Sequence, residues 1–148
     1  MPLWIIYHPE GTFEDATSRQ ALAAESVKQY TDLGLPAFYV VTQFIKMPKD
    51  TMFSGGKAVS DLVRVVVEHI AVRLPNEDEV YKKVANTIDA VLKKHIGDKG
   101  FHYEFHVDET EKRLWKVDGM FAPEFGSDEE KIWFKENRAV DLGKQATL

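Results

Sequence analysis

The chain of 148 residues contains no cysteine, which excludes disulfides, zinc-thiolate centres and thiol nucleophiles and suits a reducing compartment. No apolar run approaches the roughly 20 residues that span a bilayer. The amino terminus lacks the basic start and long apolar stretch of a secretory signal, because Leu3 to Tyr7 is cut off by His8, Pro9 and Glu10. The cytoplasm is therefore the expected location. A basic excess is missing too: 19 Lys+Arg stand against 24 Asp+Glu, for a formal net charge of −5. Without a basic stripe to neutralise phosphates, neither nucleic acid nor an anionic membrane is an expected partner, and a small molecule fits better. What the chain does have is the 44% hydrophobic and 29% charged composition of a globular protein, at a length that suits one domain over residues 1–148.

Leu3 to Tyr7 is a short β-prone run ending at Pro9 and Gly11, so the chain opens on a strand. Thr12 with Asp15 resembles a capping box, and Ala16, Ala23, Val27 and Tyr30 follow at roughly helical spacing until Gly34 and Pro36. Phe38 to Ile45 reads as a second strand, and Pro48 to Ser60, with Gly55 and Gly56, as a mobile loop. Leu62 to Val72 is apolar on both faces, as a central strand covered on each side would be. A second helix follows, with Val80, Val84, Ile88, Val91 and Leu92 as its apolar stripe and Asn76 and Glu79 as cap and third-position carboxylate. Phe101 to Val107 alternates as a strand, Leu114 to Val117 is a weaker one, and Ser127 to Asn137 is a short capped helix. The last ten residues read as frayed.

The order strand, helix, strand occurs twice, which predicts an α+β fold of duplicated β-α-β units forming one mixed sheet with two helices on one face. The other sheet face then needs cover, and a further subunit is expected to supply it.

The first two residues carry a chemical possibility. Removal of Met1 would leave Pro2 with a free secondary amine at the start of a strand. An α-amino group titrates near 7.7 to 8.0, and burial or a nearby cation pushes that lower, into the range of a general base at neutral pH. A Met-Pro start alone is common and carries no function. The stretches PLWIIYHPEGTF, GLPAFYVVTQFIKMP before SGG, EHIAVRLPNEDE, and FHYEFHVDETEKRLWKVDG followed by WFKENR change this. Together they resemble, over nearly the whole chain, the fungal oxalocrotonate tautomerases of the tautomerase superfamily, relatives of its cis-3-chloroacrylic acid dehalogenase branch.

That resemblance implies a tautomerase-like fold, a homotrimer, no cofactor and a small-molecule carboxylate substrate, with Pro2 as general base or acid and Arg73 binding the carboxylate. Other positions depart from the dehalogenase pattern. The helix-one histidine of that branch aligns with Gln29, its second arginine falls near Asn76, and its water-activating glutamate falls near Val117, beside Asp118. Adding water to an unsaturated acid needs a group that polarises the water, so enol-keto isomerisation is the leading expectation and hydration or dehalogenation the alternative. Tyr103 and His106 are both candidates for the branch's aromatic substrate contact. His69 shares the strand face of Arg73 by period two and could orient it or approach the substrate. A buried core histidine is the plainer role.

Three further readings are set aside or kept as alternatives. His102, Glu104 and His106 share a strand face, but on a regular strand the two histidines stand about 13 Å apart, too far to share an ion. No metal is expected. Gly55, Gly56 and Lys57 lack the full spacing of a phosphate loop. The duplicated order also occurs in ferredoxin-like RNA binders, which the acidic charge disfavours. A catalytically silent binding protein on the same fold stays as the non-enzyme alternative.

Overall fold

The computed structural model describes residues 2–143. β1 (Leu3–His8) leads into α1 (Ala16–Thr31), a 3₁₀ turn (Ala37–Tyr39) and β2 (Val41–Lys46). A small hairpin of β3 (Phe53–Ser54) and β4 (Lys57–Ala58) follows, and the second half runs β5 (Leu62–His69), α2 (Asp78–His95) and β6 (His102–Glu109). The carboxyl-terminal segment holds β7 (Lys116–Val117), β8 (Met120–Phe121) and α3 (Asp128–Glu136). The main sheet has the order β2-β1-β5-β6. Within each half the strands are parallel, and β1 meets β5 antiparallel, so the sheet is mixed, as the duplicated order predicts.

One sheet face carries the core. Trp4 and Ile6 from β1 and Val63, Val65 and Val67 from β5 are fully buried against Leu22 and Tyr30 of α1 and Ile88 and Leu92 of α2. The alternation follows from strand geometry, which sends every second side chain to the same side. Polar groups in this layer are paired: Trp4 Nε1 donates to Tyr30 Oη at 3.3 Å, and the Ser26 and Thr42 hydroxyls lie 2.9 Å apart. On the opposite face Leu3, Ile5, Tyr7, Leu62 and Val66 are only partly buried. The same core extends through the 3₁₀ turn to the carboxyl-terminal segment, with Tyr39 ring to ring against Trp115 at 4.8 Å and Trp133 at 6.2 Å.

Several boundaries differ from the sequence reading. Asp15 caps α1, accepting from the Ser18 amide at 2.8 Å. Glu77, not Asn76, is the N-cap of α2 and makes no side-chain cap bond, while Asn76 accepts from the Tyr81 hydroxyl at 3.2 Å. Residues 48–60 contain the β3–β4 hairpin rather than an open loop. β5 ends at His69, three residues before Val72. Ser127 caps α3 as expected, accepting from the Glu130 amide at 3.1 Å.

Candidate functional site

The start of β1, the start of β2 and the carboxyl ends of β5 and β6 all lie at one end of the sheet, as their registers require. Pro2 sits there. Its carbonyl accepts from the Val41 amide at 2.9 Å, while the His69 carbonyl accepts from the Thr110 amide at 2.8 Å. These bonds turn the main chain of Pro2 toward β2 and that of His69 toward β6. Extending the Leu3–Glu68 register by one residue puts Pro2 opposite His69, as a pair without mutual backbone bonds, the type in which Cα atoms come within about 4.5 Å. Both side chains occupy the helix-covered face, where Pro2 is fully buried and His69 nearly so.

His69 lies against the Tyr30 ring at 5.9 Å. Burial lowers the imidazole pKa below its ordinary value, against the opposing pull of the Glu109 carboxylate and the Val72 backbone. A ring shifted down from 6.5 is neutral at neutral pH. Its Nε2 is buried and has no hydrogen-bond partner among the described residues. Burial raises the Tyr30 phenol.

Arg73 is exposed on the segment between β5 and α2, so it does not continue the strand face of His69. That segment is tied back to β6 where the Leu74 amide donates to Glu109 Oε1 at 2.7 Å. Beyond β6, Arg113 grips Glu111 by a fork, with both nitrogens 3.1 Å from its two oxygens. The Arg113 fork, a hydrogen bond donated by the Arg113 backbone amide and the field of Arg73 hold the Glu111 carboxyl at about 2. The expected titration midpoint of Glu111 by NMR is thus about 2, and Arg113→Ala should return it toward the ordinary carboxylate range. Because the folded value lies below the unfolded one, this pair favours the fold at neutral pH and loses its effect as pH falls through about 2. Glu111 and Arg113 were not singled out from sequence, since only the fold brings them to the same end as Arg73.

The remaining candidates are engaged in contacts of their own. Gln29 faces α2, its amide 3.5 Å from the Thr87 carbonyl. Asn76 is exposed and bonded to Tyr81. Tyr103 donates to Asp89 of α2 at 2.9 Å, and its ring fills the space that a Cβ on Gly97 would need. His106 is on the opposite sheet face, contacted by Arg64 and 3.0 Å from Asp108. Glu109 pairs with His69. At 3.3 Å per residue Tyr103 stands roughly 20 Å and His106 roughly 10 Å along the strand from that end. Neither belongs to the Pro2 end of its own chain. A cavity of about 650 Å³ lies beside Lys112, Arg113, Met120, Pro123, Trp133 and Val140. Among the described residues no three His, Asp or Glu side chains are placed to hold a metal ion, and no helix is long and apolar enough to cross a membrane.

The family model described as "Putative oxalocrotonate tautomerase enzyme" matches residues 1–138. The chain belongs to this family. Two solved structures share 37% identity with it. One is RhCC from Rhodococcus jostii RHA1, with a TM-score of 0.90 over 94% of this chain and 99% of its own. The other is described as a probable enzyme from the thermophilic fungus Aspergillus fumigatus, with a TM-score of 0.88 over 96% and 98%. At lower identity the tautomerase fold alone is shared with N1, a member of the cis-3-chloroacrylic acid dehalogenase family (16% identity, TM-score 0.70, 91% and 97% covered). It is likewise shared with a fused 4-OT described as an asymmetric trimer (15% identity, TM-score 0.63, 80% and 94% covered). No curated protein matches. Structures from both of these branches thus share the fold of this chain.

Proposed function

We propose that this chain is a cofactor-free tautomerase of a small 2-oxo acid or its enol, with Pro2 as general base and acid once Met1 is removed and Arg73 binding the carboxylate. The observation that supports it most is the setting of Pro2: a buried residue at the sheet end, across from a neutral histidine, at the end where the exposed Arg73 acts on Glu111. A cation at that end favours loss of a proton from the amine. The neutral amine takes the enol hydroxyl proton, the oxygen's electron pair forms the carbonyl, and the carbon–carbon π pair takes the proton back from the ammonium onto carbon. Nothing else is consumed. The half-covered sheet face bearing Ile5, Tyr7 and Val66 supports assembly into a homotrimer, in which a neighbour could bring Tyr103 or His106 to the site.

Arg73 supplies the test. A charge-assisted hydrogen bond contributes about 1.5–3 kcal/mol, so Arg73→Ala should raise KM for phenylenolpyruvate about 10- to 100-fold while changing kcat less. An unchanged KM would remove Arg73 from the site. Halide release from 3-chloroacrylate would instead favour the dehalogenase branch of the chemistry.

A further inference from the structure

Among the described residues His69 Nε2 is one of four buried side-chain nitrogen or oxygen atoms without a hydrogen-bond partner, and of the four residues it alone occupies the register position opposite Pro2. A neutral imidazole carries one N–H and one lone pair on its two nitrogens, and in the tautomer with the proton on Nδ1 the buried, unpartnered Nε2 bears the lone pair. Nε2 is thus an acceptor that lacks a donor. While Met1 is attached, Pro2 has no N–H to offer, because its nitrogen is a tertiary amide. Excision of Met1 creates a donor at this position, and protonation of the amine adds a second.

We infer that His69 is a positioning residue for the amino-terminal amine, its Nε2 accepting a hydrogen bond from the Pro2 ammonium of the mature chain. This rests on the reading of Pro2 as the proton carrier and adds what sets its proton affinity. An acceptor on the charged form holds the proton more tightly, which opposes the cationic field at this end of the sheet. The amine is thereby kept able to pick up a proton as well as to lose one, as a group that alternates between base and acid must. The groups that face the imidazole are Tyr30 from α1, Pro2 from the start of β1 and Glu109 from β6, with Arg73 and Glu111 on the segments beyond. Glu109 is held by the Leu74 amide.

The experiment uses mature protein, with Met1 loss verified by intact mass, labelled with ¹⁵N-proline so that the Pro2 amine is titrated directly. His69→Asn keeps an amide at the Nδ1 position but removes the acceptor at Nε2, whereas His69→Gln places an amide oxygen near the lost Nε2. His69→Asn is expected to lower the Pro2 pKa by about one unit and to move the acid limb of the kcat/KM profile with it. His69→Gln should stay near the native value. A Pro2 titration in folded His69→Asn that coincides with the native one overturns the inference, as does an equal shift in both variants. Should His69→Asn fail to fold, ring-¹⁵N titration of His69 in the native protein reads the same link. A His69 Nε2 signal that does not respond to titration of Pro2 overturns the inference. The Pro2 and His69 titrations do not depend on turnover, so an inactive mature enzyme would sink the tautomerase reading and leave the coupling measurable.

Discussion

Blocking the Pro2 nitrogen is expected to lower kcat/KM for phenylenolpyruvate ketonisation by roughly 10²- to 10⁴-fold, the range that a positioned acid or base contributes. The cleanest form is a chain that retains Met1, or carries one extra residue ahead of Pro2. Its side chains are unchanged, but the nitrogen is an amide with no basic lone pair. Pro2→Ala is a milder lesion, because a primary amine remains near the ordinary α-amino value of about 7.7 to 8.0. It loses the ring that fixes the amine between β2 and β5, and an intermediate fall in kcat is expected. Stopped-flow or spectrophotometric decay of the enol, compared with the buffer-catalysed rate, measures both. Equal activity of blocked and mature protein would end the proposed mechanism whatever the behaviour of Arg73.

Trp133→Ala should produce the largest loss of stability outside the main sheet. The indole is 2% exposed, packs on Phe38 and Tyr39, and donates through Nε1 to the Val140 carbonyl at 2.9 Å. Truncating a buried tryptophan costs about 3–5 kcal/mol. For a chain of this size each kcal/mol lowers Tm by about 2–4 °C, so a fall on the order of 10 °C is expected in a calorimetric scan. Trp133→Phe separates the two contributions: it keeps most of the packing and loses only the bond to Val140, worth about 1 kcal/mol. A fall under about 2 °C for Trp133→Ala would show that the carboxyl-terminal segment is held by other contacts.

The sheet and its two covering helices were readable because binary pattern and element spacing agreed. Val63, Val65 and Val67 alternate with partly covered residues, and the α2 stripe supplied Ile88 and Leu92 to the core. The failures have physical causes. Ile70, Ala71 and Val72 look like strand because they are apolar, yet burial against the core does not need a hydrogen-bonded neighbour strand, and β5 stops before them. Asn76 has the side chain of a cap, but the backbone bends into α2 one residue later. Gly55 and Gly56 were read as slack, whereas their positive φ angles of 56° and 78° close a two-residue hairpin turn. Pro2, His69 and Arg73 could be named from the linear chain, although the shared face proposed for the last two ends with the strand. The Glu111–Arg113 fork could not, since nothing in local spacing links those residues to Arg73.

The seam between the two halves of the sheet makes the molecule divisible. Each half closes its own parallel pair over its own helix, β1 with β2 and β5 with β6, and the halves meet in the sheet through one antiparallel ladder from Leu3–Glu68 to Tyr7–Arg64. The connection between them passes through the exposed β3–β4 hairpin. A peptide bond cut between Gly55 and Gly56 would leave both strand-helix-strand modules intact, and the two fragments would have to recognise one another as separate polypeptides do, by adding strand to strand. Duplication and fusion of a shorter ancestor would leave this kind of joint.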